Sequence, residues 1–135
     1  MVLKTIALLP FGCLYFLSDV LYLVIKGLVK YRSDVITDNL IHAFPEKSAS
    51  EILLLRNKFY RYFCDVTVES IKLYRLSEKE LKKRVSFVGT NALNQLAKER
   101  NGAVLLAFHY NNWEWSAALQ QHLNCRLLMV YNQMR

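Results

Sequence analysis

The chain has 135 residues, room for one modest domain, with 53% hydrophobic and 21% charged residues and a formal net charge of +7. That apolar share is high for a soluble protein carrying so much charge, and the excess lies at the front of the chain. Its basic excess points to anionic headgroups, phosphorylated lipids or acidic proteins, and no nucleic-acid motif accompanies it. Three widely spaced cysteines, Cys13, Cys64 and Cys125, are odd in number and lack metal-ligand spacing, so they are expected to be small buried hydrophobes rather than a disulfide framework or a metal site.

Thr5 to Ile25 is almost wholly apolar, broken by Pro10, Gly12, Ser18 and Asp19. As a helix it would reach roughly 30 Å, about one bilayer core. Phe16-Leu-Ser-Asp19 is a poor cleavage site for a signal peptide. A buried hairpin of a soluble domain is the competing reading, because Asp19 would cost about 2.5–3.5 kcal/mol at a bilayer centre. Asp19 lies toward one end, however, and Tyr15 and Tyr22 suit an interface. The segment is therefore read as an uncleaved membrane anchor, spanning or deeply interfacial. Lys26, Lys30 and Arg32 follow it while only Lys4 and the amino terminus precede it, which orients the rest of the chain toward the cytoplasm.

Beyond the anchor (residues 1–30), residues 31–84 read as a helical segment. Tyr31 to Phe44 carries Val35, Ile36, Leu40, Ile41 and Phe44 at helical spacing and ends at Pro45. Ser48-Ala-Ser-Glu51 is a capping box opening a long helix to about Arg75, with Ile52, Leu55, Phe59, Phe63, Val66 and Ile71 on its apolar face. Ser77-Glu-Lys-Glu80 opens a short helix to about Arg84. Its cluster Lys79, Lys82, Lys83 and Arg84 is either a docking patch or a solvated face.

Residues 85–135 change pattern. Val85 to Val88 predicts a short strand, Asn91 to Arg100 a helix capped by Thr90, Ala103 to Phe108 a buried strand, and Arg126 to Tyr131 a final strand. Strands alternating with helices predict an α/β sheet with parallel members, in which ligands sit at the carboxyl ends of strands. Three strands make a small sheet, so the chain is expected to be the front part of a larger, incomplete α/β core.

His109-Tyr-Asn-Asn-Trp-Glu114 falls at such a strand end. A neutral imidazole can take a proton from a hydroxyl, and a carboxylate beside it can fix the tautomer and stabilise the imidazolium. On one continuous helix this spacing would turn the two groups roughly 140° apart. With Asn111 or Asn112 as N-cap of a helix over Trp113 to Leu123, Glu114 instead lies in the first turn and reaches back. Free N–H groups there would suit a phosphate or an oxyanion. The motif holds no Ser or Cys nucleophile, so the nucleophile would be the substrate's own hydroxyl. A structural account stays open: Asn111-x-x-Glu114 is itself a capping box, and His109 can be an ordinary strand-end histidine.

These residues resemble the N-terminal portion of the bacterial lipid A biosynthesis acyltransferases of the lauroyl/myristoyl type, within the lysophospholipid acyltransferase superfamily. The likeness runs through the apolar anchor, Tyr31-Arg32, Asn39-Leu-Ile-His-Ala-Phe-Pro-Glu46, Val85-Ser-Phe-Val-Gly89 and the His-x4-acidic signature at His109 and Glu114. Val130-Tyr-Asn-Gln-Met-Arg135 resembles the start of the next family block. Glycerophosphate-type members usually place Asn before the His and use Asp as the acid, whereas Phe108 and Glu114 favour the lipid A branch. The resemblance implies a membrane-bound enzyme at the cytoplasmic face of the inner membrane. It would move an acyl chain from an acyl carrier protein thioester to a hydroxyl of a phosphorylated glycolipid, a lipid A precursor, without metal or cofactor. His109 would be the general base and Glu114 its orienting partner. An inactive fragment, a non-enzymatic membrane-associated protein, or an acyltransferase for another glycolipid or lysophospholipid are the alternatives.

Overall fold

The computed structural model describes residues 2–128 of the chain. They fall into two compact units, Met1–Arg75 and Leu76–Arg135.

The first unit is helical throughout: α1 (Val2–Ile6), α2 (Phe11–Leu23), a π-helical run (Val24–Val29), α3 (Ser33–Ala43) and α4 (Ala49–Leu73). Pro10 precedes the first residue of α2, where a missing N–H is harmless. Phe11–Val29 is long and apolar enough to cross a membrane by length and composition, and most of it is exposed. The Ser48 capping box forms in full: the Ser48 hydroxyl accepts the Glu51 N–H, and the Glu51 carboxylate accepts the Ser48 N–H at 2.9 Å. With two otherwise orphan donors satisfied, α4 runs for 25 residues.

α4 organises the unit. Its buried side chains, Ile52, Tyr60, Cys64 and Val68, follow a four- and eight-residue spacing along one ridge. The face expected from the apolar pattern is met only in part: Ile52 is buried, but Phe59 is exposed and Leu55, Phe63, Val66 and Ile71 are half-buried. The difference arises because α2 brings polar groups to α4. Ser18, fully buried, donates to the Asp65 carboxylate at 2.6 Å, Tyr15 donates to Glu69 at 2.8 Å, and Asp19 pairs with Arg61. The Lys72 ammonium donates to the Ala7 and Leu9 carbonyls at the turn before α2. Two of the residues that interrupt the apolar segment, Ser18 and Asp19, are thus matched by α4, with Leu14 buried beside them. Burial also pushes the Cys64 thiol above its usual pKa. Of the three cysteines only Cys64 is buried; Cys13 and Cys125 are exposed.

The second unit contains α5 (Glu78–Arg84), α6 (Thr90–Glu99) and a 3₁₀ segment (Trp113–His122). Ser77 caps α5 by accepting the Glu80 N–H. α6 starts at Thr90, with Gly89 as N-cap at φ 84°, a left-handed backbone that glycine tolerates without steric cost.

The expected parallel α/β sheet is not there. Among the described residues no strand forms at Val85 to Val88, at Ala103 to Phe108 or at residues 126–128. Residues 129–131 of the last expected strand lie outside the described residues. A strand exists only as a member of a ladder, and neither apolar run has a neighbour offering backbone partners. Val88, Val104 and Phe108 are accordingly 100%, 90% and 85% exposed instead of buried.

Candidate functional site

The candidate dyad lies in the second unit, and local turns set its geometry. Asn101 (φ 55°) and Gly102 reverse the chain after α6. The run to Tyr110 is irregular and exposed. There the Tyr110 N–H returns to the Phe108 carbonyl at 2.8 Å, and the Trp113 N–H to the Asn111 carbonyl at 2.9 Å. Asn111 takes a left-handed conformation (φ 53°), to which asparagine is better suited than most residues. These two tight turns fold the chain back so that the His109 imidazole meets the Trp113 indole edge-on, ring centroids 4.4 Å apart.

Glu114 occupies the first turn of the helical segment, as expected, but that segment is 3₁₀ rather than α, and Asn112 is its N-cap with no side-chain cap bond. The capping box read at Asn111 and Glu114 therefore gives way to a turn. Among the described residues no hydrogen bond or ion pair joins His109 to Glu114. The imidazole is exposed and the carboxylate half-buried, with the Trp113 ring as the imidazole's neighbour. Of the N–H groups expected to serve an oxyanion, that of Trp113 is already engaged by the Asn111 carbonyl.

The far end of the 3₁₀ segment is held firmly. The Asn94 side chain donates to the His122 carbonyl at 3.1 Å and accepts the Asn124 N–H at 2.8 Å, tying the segment to α6. Phe87 packs its ring 5.3 Å from that of His122. Gln120 bridges forward, donating to the Cys125 carbonyl and accepting the Leu127 N–H. Glu114 thus stands on an anchored segment and His109 on an open one, with the imidazole exposed to solvent. Residues 130–135, where the next family block was expected, lie outside the described residues.

A cavity of about 540 Å³ lies in the first unit, lined by Lys26, Lys30, Arg32 and Arg56 among others, and includes neither His109 nor Glu114. In the sequence Lys26, Lys30 and Arg32 orient the anchor, and Arg32 also belongs to the Tyr31-Arg32 likeness, but nothing there joins them to Arg56. Their clustering in Lys26-x-x-x-Lys30-x-Arg32 was the available signal; the fourth, Arg56, comes from α4 and only folding brings it in.

A family model described as Bacterial lipid A biosynthesis acyltransferase matches residues 1–133. No curated protein and no solved structure matches the chain.

Proposed function

The chain belongs to the bacterial lipid A biosynthesis acyltransferase family, and on that premise we propose that it transfers a fatty acyl chain from an acyl carrier protein thioester to a hydroxyl of a lipid A precursor. The observation that carries the proposal is the match over residues 1–133, which spans both His109 and Glu114. A ring nitrogen of His109 takes the acceptor's hydroxyl proton as the oxygen attacks the thioester carbonyl. The new C–O bond forms, the C–S bond breaks, and the imidazolium returns the proton to the departing thiolate. No covalent acyl-enzyme is needed. Glu114 turns toward the imidazole in the loaded enzyme and stabilises its cationic form, since catalytic hydrogen bonds are often long or unformed without substrate.

The setting is the cytoplasmic face of the inner membrane. Supporting it are the exposed apolar run Phe11–Val29 and the cations that follow it at Lys26, Lys30 and Arg32. The net charge of +7 suits both an acidic carrier protein and a phosphorylated acceptor.

The test is acyl transfer from acyl carrier protein to a lipid A precursor by the purified chain in detergent. His109→Ala is expected to lose at least about a hundredfold in rate while its circular dichroism is unchanged, as removal of a general base requires. Glu114→Ala should lose less. Transfer by His109→Ala at the unsubstituted rate would remove His109 from the mechanism.

A further inference from the structure

The cationic cavity of the first unit is a second site with a chemistry of its own. Four positive side chains, Lys26, Lys30, Arg32 and Arg56, line it against one carboxylate, Asp34. Lys26, Lys30 and Arg32 are exposed, so water screens their mutual repulsion, and an anion entering the cavity would meet all of them together. The Arg56 guanidinium is held from one side. Its Nη1 donates to the Ser33 and Thr37 hydroxyls, both at 3.0 Å, while its buried Nε has no hydrogen-bond partner among the described residues.

The backbone is arranged around the same place. Lys30 and Arg32 both adopt left-handed conformations, φ 48° and 47°, which cost a non-glycine residue about 1–3 kcal/mol each. The π-helical run Val24–Val29 leads directly into them. Arg32 is the N-cap of α3, and Ser33, Asp34 and Val35 of its first turn line the cavity, the Ser33 N–H already donating to the Lys30 carbonyl at 3.1 Å.

We propose that this cavity binds the phosphate of an anionic lipid headgroup. A phosphate offers several strong acceptors to guanidinium and ammonium donors, and the volume lies within the range of ordinary ligand sites. The lipid, rather than free phosphate, follows from the flank. Leu28 and Val29, 81% and 60% exposed, end the apolar run beside Lys30, so acyl chains can lie along the helix while the headgroup enters the cavity. The site is independent of the dyad, and binding alone reads it.

The experiment compares the full chain with Lys30→Asn/Arg32→Asn, asparagine being the side chain that best tolerates left-handed backbone, and with Lys79→Gln/Lys82→Gln, which removes equal charge from α5. Co-sedimentation uses phosphatidylcholine vesicles with and without phosphatidylglycerol, and thermal melts with inorganic phosphate and glycerol 3-phosphate report soluble binding. The cavity variant is expected to lose roughly 10- to 30-fold in affinity for the phosphatidylglycerol vesicles, and the α5 variant less than about twofold. Both soluble phosphates should raise the melting temperature of the full chain and not that of the cavity variant. Equal losses in the two variants would mean diffuse electrostatics and overturn the site. Phosphate stabilisation with vesicle binding untouched by the cavity substitutions would make the ligand a free anion and overturn the lipid. Should the asparagine pair unfold, Lys26→Gln, which removes one exposed lining cation outside the left-handed backbone, must still weaken phosphatidylglycerol binding at least about twofold; unchanged binding there would equally sink the proposal.

Discussion

At the scale of single residues, the polar groups inside the apolar segment change meaning once their partners are known. Asp19 argues against a bilayer centre as long as it is a lone carboxylate. Paired with Arg61 it is neutralised, and its neighbour Ser18 is satisfied by Asp65. The two bonds differ in weight. Asp19 and Arg61 are more than half exposed, so water screens their attraction and removing it should cost well under 1 kcal/mol. Ser18 is fully buried and donates to a charged acceptor, which places its bond at about 1.5–3 kcal/mol. Ser18→Ala is therefore expected to lower the unfolding free energy by that amount, and Asp19→Asn by much less, in denaturant melts of the full chain. An inverted order would show that the α2–α4 contact is held by surface charge. The spacing of His109 and Glu114 is a local pattern that the sequence displays, but the contact expected between them is not made in the structure, where the imidazole meets Trp113 instead. The Trp113 ring beside the imidazole was not legible there, since it depends on two tight turns around a left-handed Asn111 that no spacing announces.

At the scale of elements, local signals were readable and non-local ones were not. Ser48, Glu51 and Pro45 carry the ends of α3 and α4 in a few neighbouring residues, and both helices form about where those residues put them. Ser48→Ala should destabilise the first unit by about 1 kcal/mol, measured as a lower melting temperature. The same box predicts a pH dependence. The Glu51 carboxyl is held below its ordinary value of 4.5, first by the Ser48 backbone N–H, then by the Ser48 hydroxyl. A carboxyl with a depressed folded-state pKa contributes stability that is present above the unfolded value and disappears as pH falls through the folded one. The melting temperature should therefore carry a Glu51-dependent decline only below about pH 4.5, and Glu51→Gln should lack that part of the decline. The runs Val85 to Val88 and Ala103 to Phe108 show the opposite case. Short apolar runs each flanked by a turn residue, they satisfy the length and flanking criteria for a strand. Strand formation nonetheless requires a partner's backbone, and no neighbouring ladder exists among the described residues. The long helix departs more mildly: its apolar pattern predicts a face of Ile52, Leu55, Phe59, Phe63, Val66 and Ile71, of which Ile52 is buried, whereas the buried ridge continues through Tyr60, Cys64 and Val68.

At the scale of the whole molecule, two kinds of attraction to a lipid surface coexist in the first unit and can be separated. One is apolar: Phe16, Leu23 and Leu28 are 71%, 66% and 81% exposed, on helical runs whose other side is occupied by α4. Exposed apolar surface of that extent marks an interaction site in a soluble setting, and burying it in lipid is worth roughly 25 cal/mol per Å². The other is ionic, carried by the net charge of +7 and the cations after Val29. Salt screens the second over about 8 Å at physiological strength and leaves the first intact. Vesicle binding is therefore expected to fall as salt is raised to about 0.5 M and then to level off at a residue that salt does not remove. Phe16→Ser/Leu23→Ser should abolish that residue without lowering the melting temperature, because neither side chain is buried in the protein. Binding that salt removes completely in the unsubstituted chain would mean that the apolar run does not enter lipid at all. In that case Phe11–Val29 would be a helix whose exposed side is covered by protein, and the membrane setting proposed for acyl transfer would fall with it.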